Sequence, residues 1–278
     1  MKLATFVPPG SAEVLAGAVE GHHVTAFTDG STVLDRLGSG DLTPARGESW
    51  PLDDVRLLAP VERPRAIFGI GLNYARHAAE SGQEPPEQPI VFTKVPTASA
   101  PPDGPVRIPK VVRRLDYEGE LVVVMGSEGR VAGFAVADDV SARDLQGREP
   151  QWTRAKGADT FCPWGPWVTT PDEVGDPESL MLRTWVNGEL RQESSTSDLI
   201  FGVSYVVRFL LETITLEPGD LILTGTPAGV AMGRTPSPWL QPGQVCEVEI
   251  EGLDVIRNTI ADERALAPNA TTAYTSAT

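Results

Sequence analysis

Asp116-Tyr117-Glu118-Gly119-Glu120 runs directly into the apolar segment Leu121-Val122-Val123-Val124-Met125, and no other feature constrains the fold of this chain as strongly. A short β-branched run of that kind predicts a buried strand. Side chains alternate across a strand, so Glu118 and Glu120 fall on one face. Two carboxylates about 6 Å apart repel by roughly 3 kcal/mol at an effective dielectric near 20. A third carboxylate is available in Gly133-Phe134-Ala135-Val136-Ala137-Asp138-Asp139-Val140, at the polar end of a second apolar run. Three such oxygen donors suit a hard divalent ion, Mg2+ or Mn2+, with positions left for water or substrate. The same spacing also describes a solvated strand face, so spacing alone leaves both readings open.

The chain has 278 residues, 41% of them hydrophobic, which suits one large domain with a small appendage. A net charge of −15 argues against nucleic-acid backbones and anionic membrane surfaces as partners. An acidic metabolite stays compatible where a metal and a lysine reverse the local field. The two cysteines, Cys162 and Cys246, lack metal-type spacing and are expected to pack as small apolar residues in a reducing compartment. No signal-peptide pattern opens the chain, and no apolar run approaches the ~18 residues of a membrane span. These features point to a soluble, cytoplasmic protein.

Many short strand signals and few helical ones predict a mainly β fold with some α (α+β). Residues 1–60 read as a small N-terminal domain, with strands at 2–7, 23–27 and 55–58 and a helix at 31–37. Pro64 marks the entry to a main body over 61–262, followed by a disordered tail over 263–278. Within the body, strands are expected at 65–71, 90–94, 106–108, 120–125, 131–137 and 167–169. Asn187-Gly188 predicts a tight hairpin, 198–213 an amphipathic helix, and 245–260 a closing hairpin. Between them, Gly225-Thr226-Pro227-Ala228-Gly229-Val230 reads as a loop fit to present hydroxyl and amide donors.

The strand at 65–71 ends in Gly69-Ile70-Gly71, where a backbone or ligand can approach closely. It is no dinucleotide loop, because Tyr74 stands where the third glycine belongs. Asn73 to Gly82 reads as a helical turn with Asn73 as N-cap and Gly82 as terminator. His77 and Glu80, three residues apart, share a face of it. A carboxylate that orients an imidazole makes a general base, whereas an exposed pair of this kind is worth little. The adjoining proline-rich 84–89 stretch makes the turn a candidate lid. His22 and His23 have no acidic partner at ligand spacing and read as a solvated loop. Lys156, in Lys156-Gly157-Ala158-Asp159, is either a substrate clamp or a neutralising partner for the carboxylates.

From about Arg65 to Ile260 the chain resembles the fumarylacetoacetate hydrolase family. Five motifs carry the resemblance in order: Gly71-x-Asn73-Tyr74-x-x-His77-x-x-Glu80, Asp116-Tyr117-Glu118-x-Glu120-Leu121, Asp139-Val140-Ser141-Ala142-Arg143-Asp144-Leu145-Gln146, Lys156-Gly157-x-Asp159, and Thr224-Gly225-Thr226-Pro227-x-Gly229-Val230. The resemblance, with the acylpyruvase and 2-hydroxyhepta-2,4-diene-1,7-dioate isomerase-like branch in particular, implies a mixed β-roll with a small N-terminal domain. It also implies a homodimer and a bound Mg2+ or Mn2+. Glu118, Glu120 and Asp139 resemble the family's metal ligands, His77 and Glu80 its water-activating lid dyad, and Lys156 the lysine that holds the substrate anion. Gln146 and Thr226 match pocket positions, Tyr74 a support for the lid, and Arg143 and Asp144 a brace for their loop. One departure is the short Gly126-to-Arg130 connection, where many relatives carry a helical insertion.

The resemblance implies hydrolysis of a C–C bond in a β-diketo acid, of acylpyruvate or fumarylpyruvate type. In that scheme the dyad activates water, the water attacks the distal carbonyl, and a pyruvate-type enolate leaves. Decarboxylation of oxaloacetate and isomerisation of a 2-hydroxydienoic diacid use the same enolate stabilisation. A non-catalytic member that binds a metabolite is the reading from a different class.

Overall fold

The computed structural model describes residues 1–263, so the tail expected over 263–278 lies outside the described residues but for Glu263. The apolar run forms the strand Gly119–Met125, buried along its whole length. It pairs antiparallel with Val131–Asp138 on one side and with Leu221–Leu223 on the other. That places it inside a 12-stranded mixed sheet. A strand covered on both faces serves two cores by turns. Leu121, Val123 and Met125 pack with Phe134, Val136 and Leu182. Val122 and Val124 pack on the opposite face with Ala135, Ala137, Leu3 and Leu37. Each such side chain contributes about 1.5–3 kcal/mol on burial.

The first core is closed by a five-stranded sheet in the order Glu189–Ser195, Met181–Val186, Val245–Ile250, Asp254–Asp262, Val106–Ile108. The helix Val203–Leu211 adds Val203, Val206, Val207 and Leu210 to the same core. The hairpin turns at Asn187 and Gly188, with φ of 51° and 77°, the left-handed pair that a two-residue turn requires. At the other side of the large sheet, Lys2 and Leu3 pair with Thr169 and Val168, so the N-terminal strands continue the sheet of the main body. The connection from Gly126 to Arg130 is a single tight turn closed by the Gly126 N–H on the Arg130 carbonyl at 2.8 Å.

Three local expectations are corrected by tertiary contacts. Asn73 does not cap the helix next to it. Its buried side chain donates to the carbonyls of Phe201 at 3.0 Å and Thr224 at 2.7 Å and accepts the Phe201 N–H at 2.8 Å. The Asn73 carbonyl also accepts the Ile200 N–H at 2.8 Å. These bonds hold 200–201 in a non-helical bend, so the helix expected over 198–213 begins only at Val203. The strand expected at 167–169 is instead Cys162–Thr169, its first half disguised by Pro163, Gly165 and Pro166. A further strand, Leu15–Glu20, is rich in alanine and glycine and gave no β-branched signal. The helix Ala75–Glu80 ends as expected: Gly82 takes φ +65°, with Gln83 N–H on the Ala78 carbonyl and Gly82 N–H on that of Ala79.

Candidate metal centre

Strand register brings the carboxylates together. Gly119 lies opposite Asp138, and the Asp139 N–H donates to the Glu118 carbonyl at 2.8 Å, so Glu118 faces Asp139 across the ladder. Glu120 comes two residues later, on the same face. One oxygen from each of Glu118, Glu120 and Asp139 lies within 4.8 Å of the others, and all three residues are buried. Asp138 points to the other face. Asp159, which closes the Lys156 motif, is exposed and takes no part.

Three cations enter the cluster from separate elements. The Lys156 ammonium lies 2.5 Å from Glu118 Oε2 and 2.7 Å from Asp139 Oδ2. Lys94, fully buried at the end of strand Ile90–Lys94, pairs with Asp139 Oδ1. Arg143 pairs with Glu118 Oε1, bonds Asp116 Oδ2 through Nε at 2.8 Å, and donates to Gln146 Oε1 at 2.8 Å. Asp116 in turn accepts the N–H groups of Ala231 at 2.7 Å and Met232 at 3.1 Å, which ties the loop after Gly229 to the centre.

The carboxylates are therefore not equivalent. Burial works to raise the Glu118 pKa, but Arg143 and Lys156 outweigh it and hold the group well below the carboxylate range. Lys156 is opposed by its own burial and held above its ordinary value by Asp139 and Glu118, so it stays charged. Glu120 makes no ion pair among the described residues and accepts only the Gly225 N–H, at 2.6 Å. Burial, then repulsion from Asp139 and Glu118, push its pKa well above the ordinary value. A buried carboxylate next to two others, without a cation of its own, is the arrangement a divalent ion completes. The all-oxygen donor set fits Mg2+ or Mn2+.

His77 is buried, so the exposed-pair reading of the dyad does not hold. Its Nδ1 lies 3.5 Å from Glu80 Oε2, a loose approach that makes no hydrogen bond in this geometry. Glu80 is itself anchored, both oxygens accepting the Gly229 N–H at 3.1 Å. Burial would raise its pKa, but the His77 imidazole and the Gly229 N–H outweigh it and hold Glu80 below its ordinary value.

His77, Arg143, Gln146, Lys156, Thr226 and the three carboxylates line one cavity of about 150 Å³. Ile70, Leu72, Ile90, Phe92, Trp152 and Met232 form its apolar wall. The glycines expected to allow a close approach do so for two aromatic rings of that wall. A Cβ on Gly69 would fall 2.2 Å from the Phe92 ring, and one on Gly71 2.8 Å from that of Trp152. A more open groove of about 610 Å³ elsewhere, lined by Lys2, Trp185, Glu247 and Glu249, holds none of these groups.

Tyr74 does not line the cavity. It is fully buried, and its phenol is held well above the ordinary range by burial first and by the Glu120 charge second. The 225–230 loop does not present free donors either. Its Gly225 and Gly229 N–H groups orient Glu120 and Glu80. The Thr226 hydroxyl donates to the Gly119 carbonyl at 3.0 Å and accepts from Gln192 at 2.8 Å. Lys94, Asp138 and Gln192 are buried neighbours of the centre that the sequence pattern did not single out. Only the position of Lys94, a cation closing an apolar strand, carried a signal for any of them.

Asp138 supplies a pH test of this interior. Its carboxylate accepts the Glu118 N–H at 2.7 Å and lies 3.5 Å from the Cys246 thiol, yet burial outweighs both and raises its pKa from 3.8 to about 7. A raised carboxylate favours folding while protonated, so this contribution is intact below about pH 4 and lost as pH climbs towards 7. Asp138→Asn is expected to match the wild type near pH 4 and to exceed it by about 2–4 kcal/mol at pH 8, read from urea midpoints. Equal midpoints at pH 8 would mean that Asp138 is not destabilised by its burial.

A family profile described as "Fumarylacetoacetate (FAA) hydrolase C-terminal" matches residues 66–261, and one described as "Rv2993c-like, N-terminal" matches residues 1–60. The chain is similar to "Oxaloacetate tautomerase FAHD2B, mitochondrial" of Bos taurus, 42% identical over 222 residues, covering 76% of this chain and 71% of that protein. Among solved structures it is similar to a fumarylacetoacetate hydrolase from Exiguobacterium antarcticum, with TM-score 0.85, 35% identity, and coverage of 94% and 99%. It is also similar to a 2-hydroxyhepta-2,4-diene-1,7-dioate isomerase from Mycobacterium marinum, with TM-score 0.79, 34% identity, and coverage of 95% and 99%. No helix among the described residues is long and apolar enough to cross a membrane.

Proposed function

Because the chain belongs to the fumarylacetoacetate hydrolase family of enzymes, we propose that it uses a divalent metal to move a proton between carbon and oxygen of a small 2-oxo acid, interconverting its enol and keto forms. The observation that carries this reading is the convergence of His77, backed by Glu80, with the carboxylate triad and Lys156 on one cavity. Proton shifts of this type underlie both the tautomerase and the isomerase named among the relatives.

Mg2+ or Mn2+ held by Glu118, Glu120 and Asp139 would act as a Lewis acid towards the oxygens of the 2-oxo acid. The chain's own groups do the rest. Lys156 offsets the substrate's negative charge. Glu80, held ionised beside His77, would tighten onto Nδ1 when substrate binds, and the imidazole is the base that takes the proton from carbon and returns it. Arg143 occupies the Gln146 carbonyl oxygen, so the Gln146 amide nitrogen is left to donate to a substrate oxygen. Closure by the helix that carries His77 excludes water from the exchange. A homodimer in the cytoplasm belongs to the same proposal, supported by the family resemblance and by two free, buried cysteines.

A second reading is hydrolysis of an acylpyruvate, favoured by the same His77–Glu80 geometry, which equally suits taking a proton from water. Enol absorbance separates the two. Oxaloacetate enol is expected to decay faster with enzyme and Mg2+ than spontaneously, and EDTA should abolish the gain. Metal-dependent conversion of acetylpyruvate to pyruvate and acetate, without the first effect, would favour hydrolysis. Neither activity, with Mg2+ bound, would leave the metabolite-binding reading in its place.

A further inference from the structure

We propose that Trp152 is the specificity-determining residue that limits the substrate to about four or five carbons, an inference that rests on the 2-oxo acid reading above. A cavity of about 150 Å³ is one that takes a molecule the size of benzene, six non-hydrogen atoms. The 2-oxo acid head has the same count, three carbons and three oxygens. The head therefore fills most of the space, and the carbon chain beyond it runs against the aromatic part of the lining.

The stop is built as a wall running outward from the anchor. The Lys156 ammonium lies 5.1 Å above the Phe92 ring. Phe92 meets Trp152 edge-on, with centroids 5.5 Å apart and planes at 61°. Trp152 rests against Gly71, where any Cβ would come within 2.8 Å of the ring, with Ile90 alongside. Each ring is backed on one side by glycine backbone, which cannot retreat as a flexible side chain would. Trp152 and Lys156 are also one helical turn apart, the Lys156 N–H donating to the Trp152 carbonyl at 2.9 Å. The residue that holds the acid and the residue that ends the cavity are thus fixed relative to each other. The pair acts as a ruler.

Calorimetric binding of straight-chain 2-oxo acids of increasing length, in saturating Mg2+, tests this without relying on turnover. In the wild type, affinity is expected to fall at least about tenfold beyond five carbons. In Trp152→Ala, or in Trp152→Leu should the alanine variant not fold, that fall is expected to shrink to about threefold or less. Affinity indifferent to length in the wild type, or a limit unmoved in a folded variant, overturns the ruler. Failure of even pyruvate and oxaloacetate to bind overturns the 2-oxo acid reading, and the ruler with it. Binding with the expected limit but no enol–keto activity keeps the ruler and overturns only the proposed reaction.

Discussion

His77→Ala is expected to lower turnover by about 100- to 10,000-fold, the usual contribution of a positioned general base, while leaving Mg2+ affinity unchanged. The separation comes from the geometry of the site. His77 lines the cavity but contributes no ligand atom to the triad, and its contact is with Glu80, 3.5 Å away. Glu80→Gln should lie between wild type and His77→Ala, because the imidazole survives but loses the anion beside it. Both variants can be read by enol–keto kinetics beside a calorimetric Mg2+ titration. Full activity in His77→Ala would rule out the imidazole as the base. Loss of Mg2+ binding in that variant would mean that the dyad supports the metal instead.

Glu120→Gln is expected to act the other way round, abolishing measurable metal binding and lowering turnover by about a thousandfold or more, since a bound cation supplies several kcal/mol of charge stabilisation. It carries a second consequence of opposite sign. In the metal-free protein Glu120 is buried against Asp139 and Glu118 with no cation of its own, and its pKa is raised. A carboxylate raised on folding contributes stability while protonated and loses it as pH rises above its unfolded value of 4.5. Metal-free Glu120→Gln should therefore melt higher than metal-free wild type at neutral pH, and gain nothing when Mg2+ is added. The amide oxygen can still accept the Gly225 N–H, so the loop need not open. A variant that melts lower than the metal-free wild type would show that Glu120 is compensated by groups other than a metal.

The centre was legible where it depends on local pattern. The β-branched run after Glu120 fixed a strand, the period of two aligned Glu118 with Glu120, and the antiparallel register delivered Asp139 to the same face. Asn187-Gly188 likewise specified its turn by backbone conformation alone. What stayed hidden depends on partners distant in sequence. Lys94 and Asp139 are separated by 45 positions, Arg143 and Glu118 by 25, and Asn73 and Phe201 by 128. Asn73 shows the cost of reading locally. An asparagine before a helical run is a good N-cap on propensity, but here its amide is spent on two other segments, and the downstream helix is shortened by the same bonds. The 225–230 loop shows the converse. Its donors are real, but they hold Glu120 and Glu80 rather than a ligand. Spacing alone left Lys156 and the His77–Glu80 pair ambiguous. The motif resemblance favoured their functional reading, and burial of His77 and Lys156 beside the triad supports it.

Exchange of solvent deuterium into the carbon next to the 2-oxo group of a four-carbon 2-oxo acid, read by NMR, reports the proton transfer itself, whatever the later fate of the substrate. Exchange well above the spontaneous rate is expected with Mg2+, none above it with EDTA, and none above it in His77→Ala or Glu120→Gln. Exchange that persists in EDTA, or in both variants, would contradict a metal-assisted base at this centre.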